Sequence, residues 1–324
     1  MRISSLPGSL LLCGAIGVFS VLAAAAQQTP ATQATAPDPH LDEQRLGLTG
    51  PANPALPSLI LVGDSTVRNG HGSGSDGLWG WGAPIADLFD LSKINVVNRA
   101  IGGLSSHTYM SAGHWGSTLE LVKAGDFVLI QFGHNDGGLN LPGATPVPDQ
   151  GLLPGAPPPP GAQAHGPNLR GSLPGTGDET IEIEDPRTHM LEKVHTFGWY
   201  LRKYVADVRA KGATPILCSL VPRKLWLDGH IVRNTSTYRG WTEQVAASEH
   251  VGFVDLNEIV ALRYDALGPA AVAPLFGDPH THTTLAGAQL NAECVVAGLK
   301  ALPRDPLAPY FSANGRAIKA YKGS

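Results

Sequence analysis

Five short apolar runs, at residues 59–62, 94–97, 127–132, 215–220 and 252–256, recur with helical patterns between them, and they limit the possible folds more sharply than anything else in the chain. Mostly apolar runs of this length suit strands buried on both faces. Strand alternating with helix is the signature of a parallel sheet covered on both sides. Within residues 196–211, Phe197, Leu201, Val205 and Val208 recur at helical spacing while Arg202, Lys203, Arg209 and Lys211 take the outside, and Gly212 supplies a stop. This predicts a surface helix on the sheet. A last helix is expected over about residues 285–302, rich in Ala, with Val295, Val296 and Leu299 on it and Pro303 ending it. At 324 residues and 43% apolar content the chain has enough material to fill such a core.

Outside the alternating region three segments stand apart. Arg2, an apolar run from Leu10 to Ala26, and the small residues Ala24, Ala25 and Ala26 before Gln27 describe a secretory signal peptide over residues 1–26. An uncleaved membrane anchor is the competing reading, since the run borders on spanning length, but Gly14 and Gly17 interrupt it. Cys13 follows Leu12, where a lipid-attachment site would want a small residue, and no other segment could span a membrane. Residues 27–57, rich in Gln, Thr, Ala and Pro, read as a flexible or extended lead, so the folded domain is expected over residues 58–324. Between about residues 137 and 186 the pattern collapses into Gly and Pro, which excludes regular core structure; this insertion directly follows the third strand, so part of it is expected to line a cleft.

Charge and cysteines narrow the class. A net charge of −4 with 15% charged residues gives no electrostatic footprint for nucleic acid or an anionic membrane, and fits a neutral or mildly acidic small-molecule or polymer substrate. Beyond the signal, Cys218 and Cys294 remain. One disulfide between them and two buried thiols both stay open.

Ligands of open parallel sheets bind outside the carboxyl ends of the strands. With the order 2-1-3-4-5, the first three strands are neighbours, and their ends carry Asp64-Ser65, Asn98 through Gly103, and Gly133-His134-Asn135-Asp136. Ser65 follows a glycine that permits a sharp turn, as an exposed nucleophile requires, although Ser-Thr also caps helices. Acyl transfer needs donors aimed at the developing oxyanion: Ser65 and Gly103 could supply backbone N–H groups and Asn135 a side-chain amide. A phosphate loop is the rival reading of the second segment, but neither dinucleotide spacing nor a Walker-type lysine is present. The candidate base lies in residues 276–284, where Asp278 closely precedes His280 and His282. Two histidines two apart could ligate a metal, yet no third ligand, His-Glu-x-x-His or Cys pair accompanies them, so no metal or cofactor is expected. His71, His107, His114 and His230 lack such context and are expected on the surface or on a substrate wall.

Four blocks in order, Gly63-Asp64-Ser65-Thr66, Asn98 through Gly103, residues 133–138, and His280-Thr281-His282-Thr283 with Ala286-Gly287-Ala288, give a chain that over about residues 58–302 resembles the GDSL/SGNH hydrolases, and within them the rhamnogalacturonan acetylesterases. Residues 170–180 and 195–200 also look like bacterial members of that group. The resemblance implies a flavodoxin-like three-layer α/β/α sandwich with a five-stranded parallel sheet. It implies Ser65 as nucleophile, His282 as base, an oxyanion hole from Ser65, Gly103 and Asn135, and removal of acetyl groups from pectic polysaccharide without a metal. Two departures stand out. Relatives usually place the triad aspartate three residues before the histidine, where this chain has Pro279; Asp278 stands four before His282, so Asp278 or a backbone carbonyl could orient the imidazole. Leu104 stands where relatives commonly carry arginine.

The expected protein is therefore a secreted monomer, periplasmic or extracellular, acting on acetylated polysaccharide or oligosaccharide, with Trp79, Trp81 and Trp226 as candidate sugar platforms or loop-packing residues. Two readings remain beside it. One is a broad carboxylesterase or lipase using the same triad; the other is a non-catalytic carbohydrate-binding protein on the same fold.

Overall fold

The five apolar runs lie side by side in one parallel sheet. The computed structural model describes residues 43–138, 169–184 and 189–323. In chain order its strands are β1 (Ser58–Gly63), β2 (Asn95–Asn98), β3 (Phe127–Gln131), β4 (Thr180–Glu184), β5 (Leu191–His195), β6 (Thr214–Cys218), β7 (Trp226–Leu227), β8 (His230–Ile231) and β9 (Gly252–Val254). The sheet order is β2-β1-β3-β6-β9, every pairing parallel, with Leu61 opposite Asn98 and Gly63 opposite Gln131. This is the flavodoxin-like order the sequence suggests, and it puts the ends of β1, β2 and β3 together.

Because successive side chains of a strand point to opposite faces, the mostly apolar runs build two cores. Leu59, Leu61, Leu129 and Ile216 face the helices α5 (Leu256–Val272) and α6 (Leu285–Leu299), while Ile60, Val62, Val128 and Ile130 face α2 (His114–Leu121), α3 (Phe197–Ala210) and α4 (Tyr238–Ser248). The short α1 (Ser106–Ser111) follows β2 and opens with a capping box on Ser105 and Thr108. The Thr196 hydroxyl accepts the Trp199 N–H at 3.1 Å and starts α3, and Gly212 at φ +73° follows its end, as the sequence predicts. The last helix stops earlier than expected. Ala301 and Leu302 donate to the carbonyls of Gly298 and Leu299, and these tighter i→i+3 bonds take up the turn before Pro303.

Other differences are instructive. Residues 43–57, read as part of a flexible lead, are docked: Glu43 is buried against Arg99, and the Asn53 N–H donates to Asn95 Oδ1 at 2.9 Å. Within the Gly/Pro-rich stretch, Thr180-Ile181-Glu182-Ile183-Glu184 forms β4, paired antiparallel with β5 and separate from the main sheet. Cys218 on β6 and Cys294 on α6 are both buried free thiols; burial pushes Cys294 up to about 12 and Cys218 well above its ordinary range. The predicted signal peptide, the first part of the lead, and residues 139–168 and 185–188 lie outside the described residues.

Candidate active site

At the end of β1 no side chain fits: a Cβ on Gly63 would stand 2.6 Å from Val67 Cγ2 and 2.7 Å from the Gln131 carbonyl oxygen. The chain turns there, and its next three side chains alternate. Asp64 and Thr66 point inward and are buried, leaving half-buried Ser65 between them. The Thr66 N–H and hydroxyl both donate to Asp64 Oδ1 at 2.8 Å. Gln131 Nε2 donates to Thr66 Oγ1 at 2.6 Å, and Trp81 Nε1 donates to Gln131 Oε1 at 2.9 Å. Asp64 Oδ2 faces His134 Nδ1 at 3.3 Å. Burial pushes the Asp64 carboxyl up, but the His134 charge and the Thr66 donors outweigh it and leave the group below its ordinary value.

Across from Ser65, the turn before α6 presents His282. Ser65 Oγ lies 2.9 Å from His282 Nε2, and His282 Nδ1 lies 2.6 Å from Asp278 Oδ2. The remaining Asp278 oxygen accepts the N–H groups of His280, Thr281 and His282 at 3.0, 2.6 and 3.0 Å. That fan of donors curls the backbone around the carboxylate, which is how the four-residue spacing still delivers Asp278 to the imidazole. Partial burial raises the Asp278 carboxyl, yet the Thr281 and His282 donors and the imidazole prevail and hold it below its ordinary value. The turn is tied down on two sides. Trp79 N–H donates to the Thr283 carbonyl at 2.8 Å and Thr283 Oγ1 to the Trp79 carbonyl at 2.7 Å; Arg223 donates to Thr281 Oγ1, and Lys224 N–H to the His280 carbonyl at 2.9 Å.

A third group converges on Ser65. A Cβ on Gly102 would lie 3.4 Å from Ser65 Cβ, and Gly103 adopts φ +79°, a conformation that favours glycine. Among the described residues the backbone N–H groups of Ser65 and Gly103 have no hydrogen-bond acceptor. Asn135 Nδ2 donates one hydrogen to the Leu104 carbonyl at 3.0 Å and keeps the other. Chemically, the set offers a hydroxyl with a base, an oriented base, and donors for an anion.

Not every candidate lies at this opening. Trp81 is 0% exposed and belongs to the buried chain of hydrogen bonds, so it cannot stack on a sugar. The Trp79 ring covers Gly74, whose Cβ would meet it at 2.3 Å, and Trp226 is partly buried against the core. His107 is buried as well, bonded to the Gly171 carbonyl and to Glu192, and His114 is buried; only His71 and His230 of that group are on the surface as expected. The sequence reading missed Asp136 as an anchor: it accepts the Ser106 N–H and hydroxyl and the Ser172 hydroxyl, and burial pushes its carboxyl up to about 6 despite those donors. It also missed Arg223 and Lys224, which no motif marks. Among the described residues no three His, Cys, Asp or Glu side chains converge as a metal ion would need.

Comparison with known proteins agrees with this geometry. The model of the GDSL-like lipase/acylhydrolase family matches residues 61–290, which contain Ser65, Gly103, Asn135, Asp278 and His282. The chain is 30% identical over 236 residues to a rhamnogalacturonan acetylesterase of Emericella nidulans, covering 73% of this chain and 82% of that one. It is 28% identical over 249 residues to the probable rhamnogalacturonan acetylesterase YesY of Bacillus subtilis, covering 75% and 93%. The crystal structure of Bacillus subtilis YxiM superposes with a TM-score of 0.55 at 22% identity, covering 76% of this chain and 56% of that one, a likeness of fold.

Proposed function

Because the chain belongs to the GDSL-like lipase/acylhydrolase family, we propose that it is a secreted serine esterase that removes acetyl groups from plant cell-wall polysaccharide, with rhamnogalacturonan as the substrate. One observation carries the chemistry: the unbroken chain Ser65 Oγ, His282 Nε2, His282 Nδ1, Asp278 Oδ2, with links of 2.9 and 2.6 Å, beside two N–H groups that have no acceptor among the described residues. Ser65 Oγ attacks the acetyl carbonyl as His282 Nε2 takes its proton, and Asp278 stabilises the imidazolium. The tetrahedral oxyanion rests on the N–H groups of Ser65 and Gly103 and on Asn135 Nδ2. His282 returns its proton to the departing sugar oxygen. Water then attacks the acetyl-serine by the same route and releases acetate.

The substrate rests on the named activities of the two relatives, both rhamnogalacturonan acetylesterases, one of them probable. Export rests on Arg2 and the apolar run that ends at Ala26. The test is acetate release from acetylated rhamnogalacturonan, acetylated xylan and a small aryl acetate, by the mature protein and its Ser65→Ala variant. Release chiefly from the pectic polymer, with kcat lowered about 10⁴-fold or more in the variant, is the expected result. Turnover of the aryl ester alone would make it a broad carboxylesterase. No release from any substrate would leave a carbohydrate-binding protein.

A further inference from the structure

Asp64 and His134 form a buried pair that the reaction itself does not use. Asp64 is fully buried and His134 nearly so, and they meet where β1 and β3 end. His134 Nε2 lies 3.0 Å from the Val221 carbonyl oxygen, which only accepts, so this nitrogen carries a proton. The other ring nitrogen faces Asp64 Oδ2, whose sister oxygen already takes two donors from Thr66. The ring thus stands between the Val221 carbonyl and the Asp64 carboxylate, out of contact with water. Their places in the chain give this pair its leverage. Ser65 follows Asp64 directly, Asn135 follows His134 directly, and Val221 stands two residues before Arg223, which with Lys224 grips the 280–282 turn.

We infer that Asp64 and His134 are positioning residues that lock Ser65 and the Asn135 amide into one register across the ends of β1 and β3. The inference rests on the esterase reading above. Neither residue touches the substrate; each acts through its neighbour, and a displacement of about 1 Å in such a site costs about a hundredfold in rate.

The test uses the full mature chain and a small aryl acetate, with Ser65→Ala and Asn135→Ala as references. His134→Gln and Asp64→Asn each leave one member of the buried pair without its partner, and each is expected to lower kcat about 10- to 100-fold while KM stays within about twofold. The double variant Asp64→Asn/His134→Gln replaces both members by neutral amides, which can hydrogen-bond to each other. It is expected to regain at least about tenfold in kcat over either single variant. Folded single variants with wild-type kcat overturn the inference, and so does a double variant whose Tm recovers while kcat does not. Where the single variants fail to fold, the double variant decides: kcat within about tenfold of wild type upholds the inference, a folded double variant as slow as Asn135→Ala overturns it, and a failure to fold assigns the pair to folding alone. Turnover retained by Ser65→Ala would instead overturn the esterase reading, whatever the pair does.

Discussion

The two sides of the candidate site are built by opposite means. On the Ser65 side most of the anchoring contacts reach far along the chain: Trp81 to Gln131 spans 50 residues, Gln131 to Thr66 spans 65, and His134 to Val221 spans 87. On the His282 side the decisive bonds are local and partly exposed, since Asp278 reaches only two to four residues ahead. Two aspartates record the difference. Asp136, fully buried, is pushed up to about 6, whereas Asp278, open to solvent on one side and surrounded by donors, is held below its ordinary value. The nucleophile side is thus part of the core, and the base side is a turn laid on top of it. Losing a core contact on the first side should cost stability as well as rate, whereas the second side should respond chiefly through rate.

The sharpest way to break that contrast is Asp278→Asn. Loss of the carboxylate frees the imidazole to take the wrong tautomer, and kcat is expected to fall about 10³- to 10⁴-fold while Tm moves by only about a few degrees. A large loss of Tm would show that the turn is structural after all. Next comes pH. The folded Asp136 binds its proton more tightly than an ordinary aspartate at 3.8, so between about pH 4 and pH 6 the folded state holds more protons than the unfolded one. Stability therefore falls as pH rises through that window, by about 3 kcal/mol, and levels off above it. Urea unfolding from pH 4 to pH 8 should show this component, and Asp136→Asn should flatten it. Asp278 has the opposite sign: its contribution is present above its unfolded value and is lost as pH falls through the lower folded one. The smallest effect belongs to Trp81→Phe, which keeps a six-membered aromatic ring but removes the pyrrole half and the N–H that Gln131 accepts. It should cost about 1–3 kcal/mol in stability with kcat changed by less than about tenfold. A larger loss of rate than of stability would erase the distinction between the two sides.

The same division governs what could be read from residues alone. The sheet was legible because five apolar runs suffice to specify buried strands, and Ser65, Gly103, Asn135 and His282 were legible as candidates because their motifs are short and contiguous. Asp278 was legible as a candidate, but the fan of backbone donors that makes its spacing work is a property of the folded turn. Trp81 misled because a tryptophan beside glycines looks the same whether it lines a cleft or fills the core; its partner Gln131 lies 50 residues away. The strand at Thr180–Glu184 does alternate with period two, and its setting among Gly and Pro masked the signal. The pairing of Asp64 with His134 left no trace in spacing, since it exists only where two strand ends meet.

Of the three residues that follow Gly63, Asp64 and Thr66 are committed to the interior, and Ser65 alone has no hydrogen bond in its side chain's service except the one to His282. Its hydroxyl is therefore a replaceable part. Protein carrying alanine there should keep its shape and its grip on acetylated carbohydrate while being unable to release acetate, which turns the inactive form into a capture reagent: immobilised on a resin, it would select acetylated chains out of a crude extract and hold them unaltered for sequencing of their sugars.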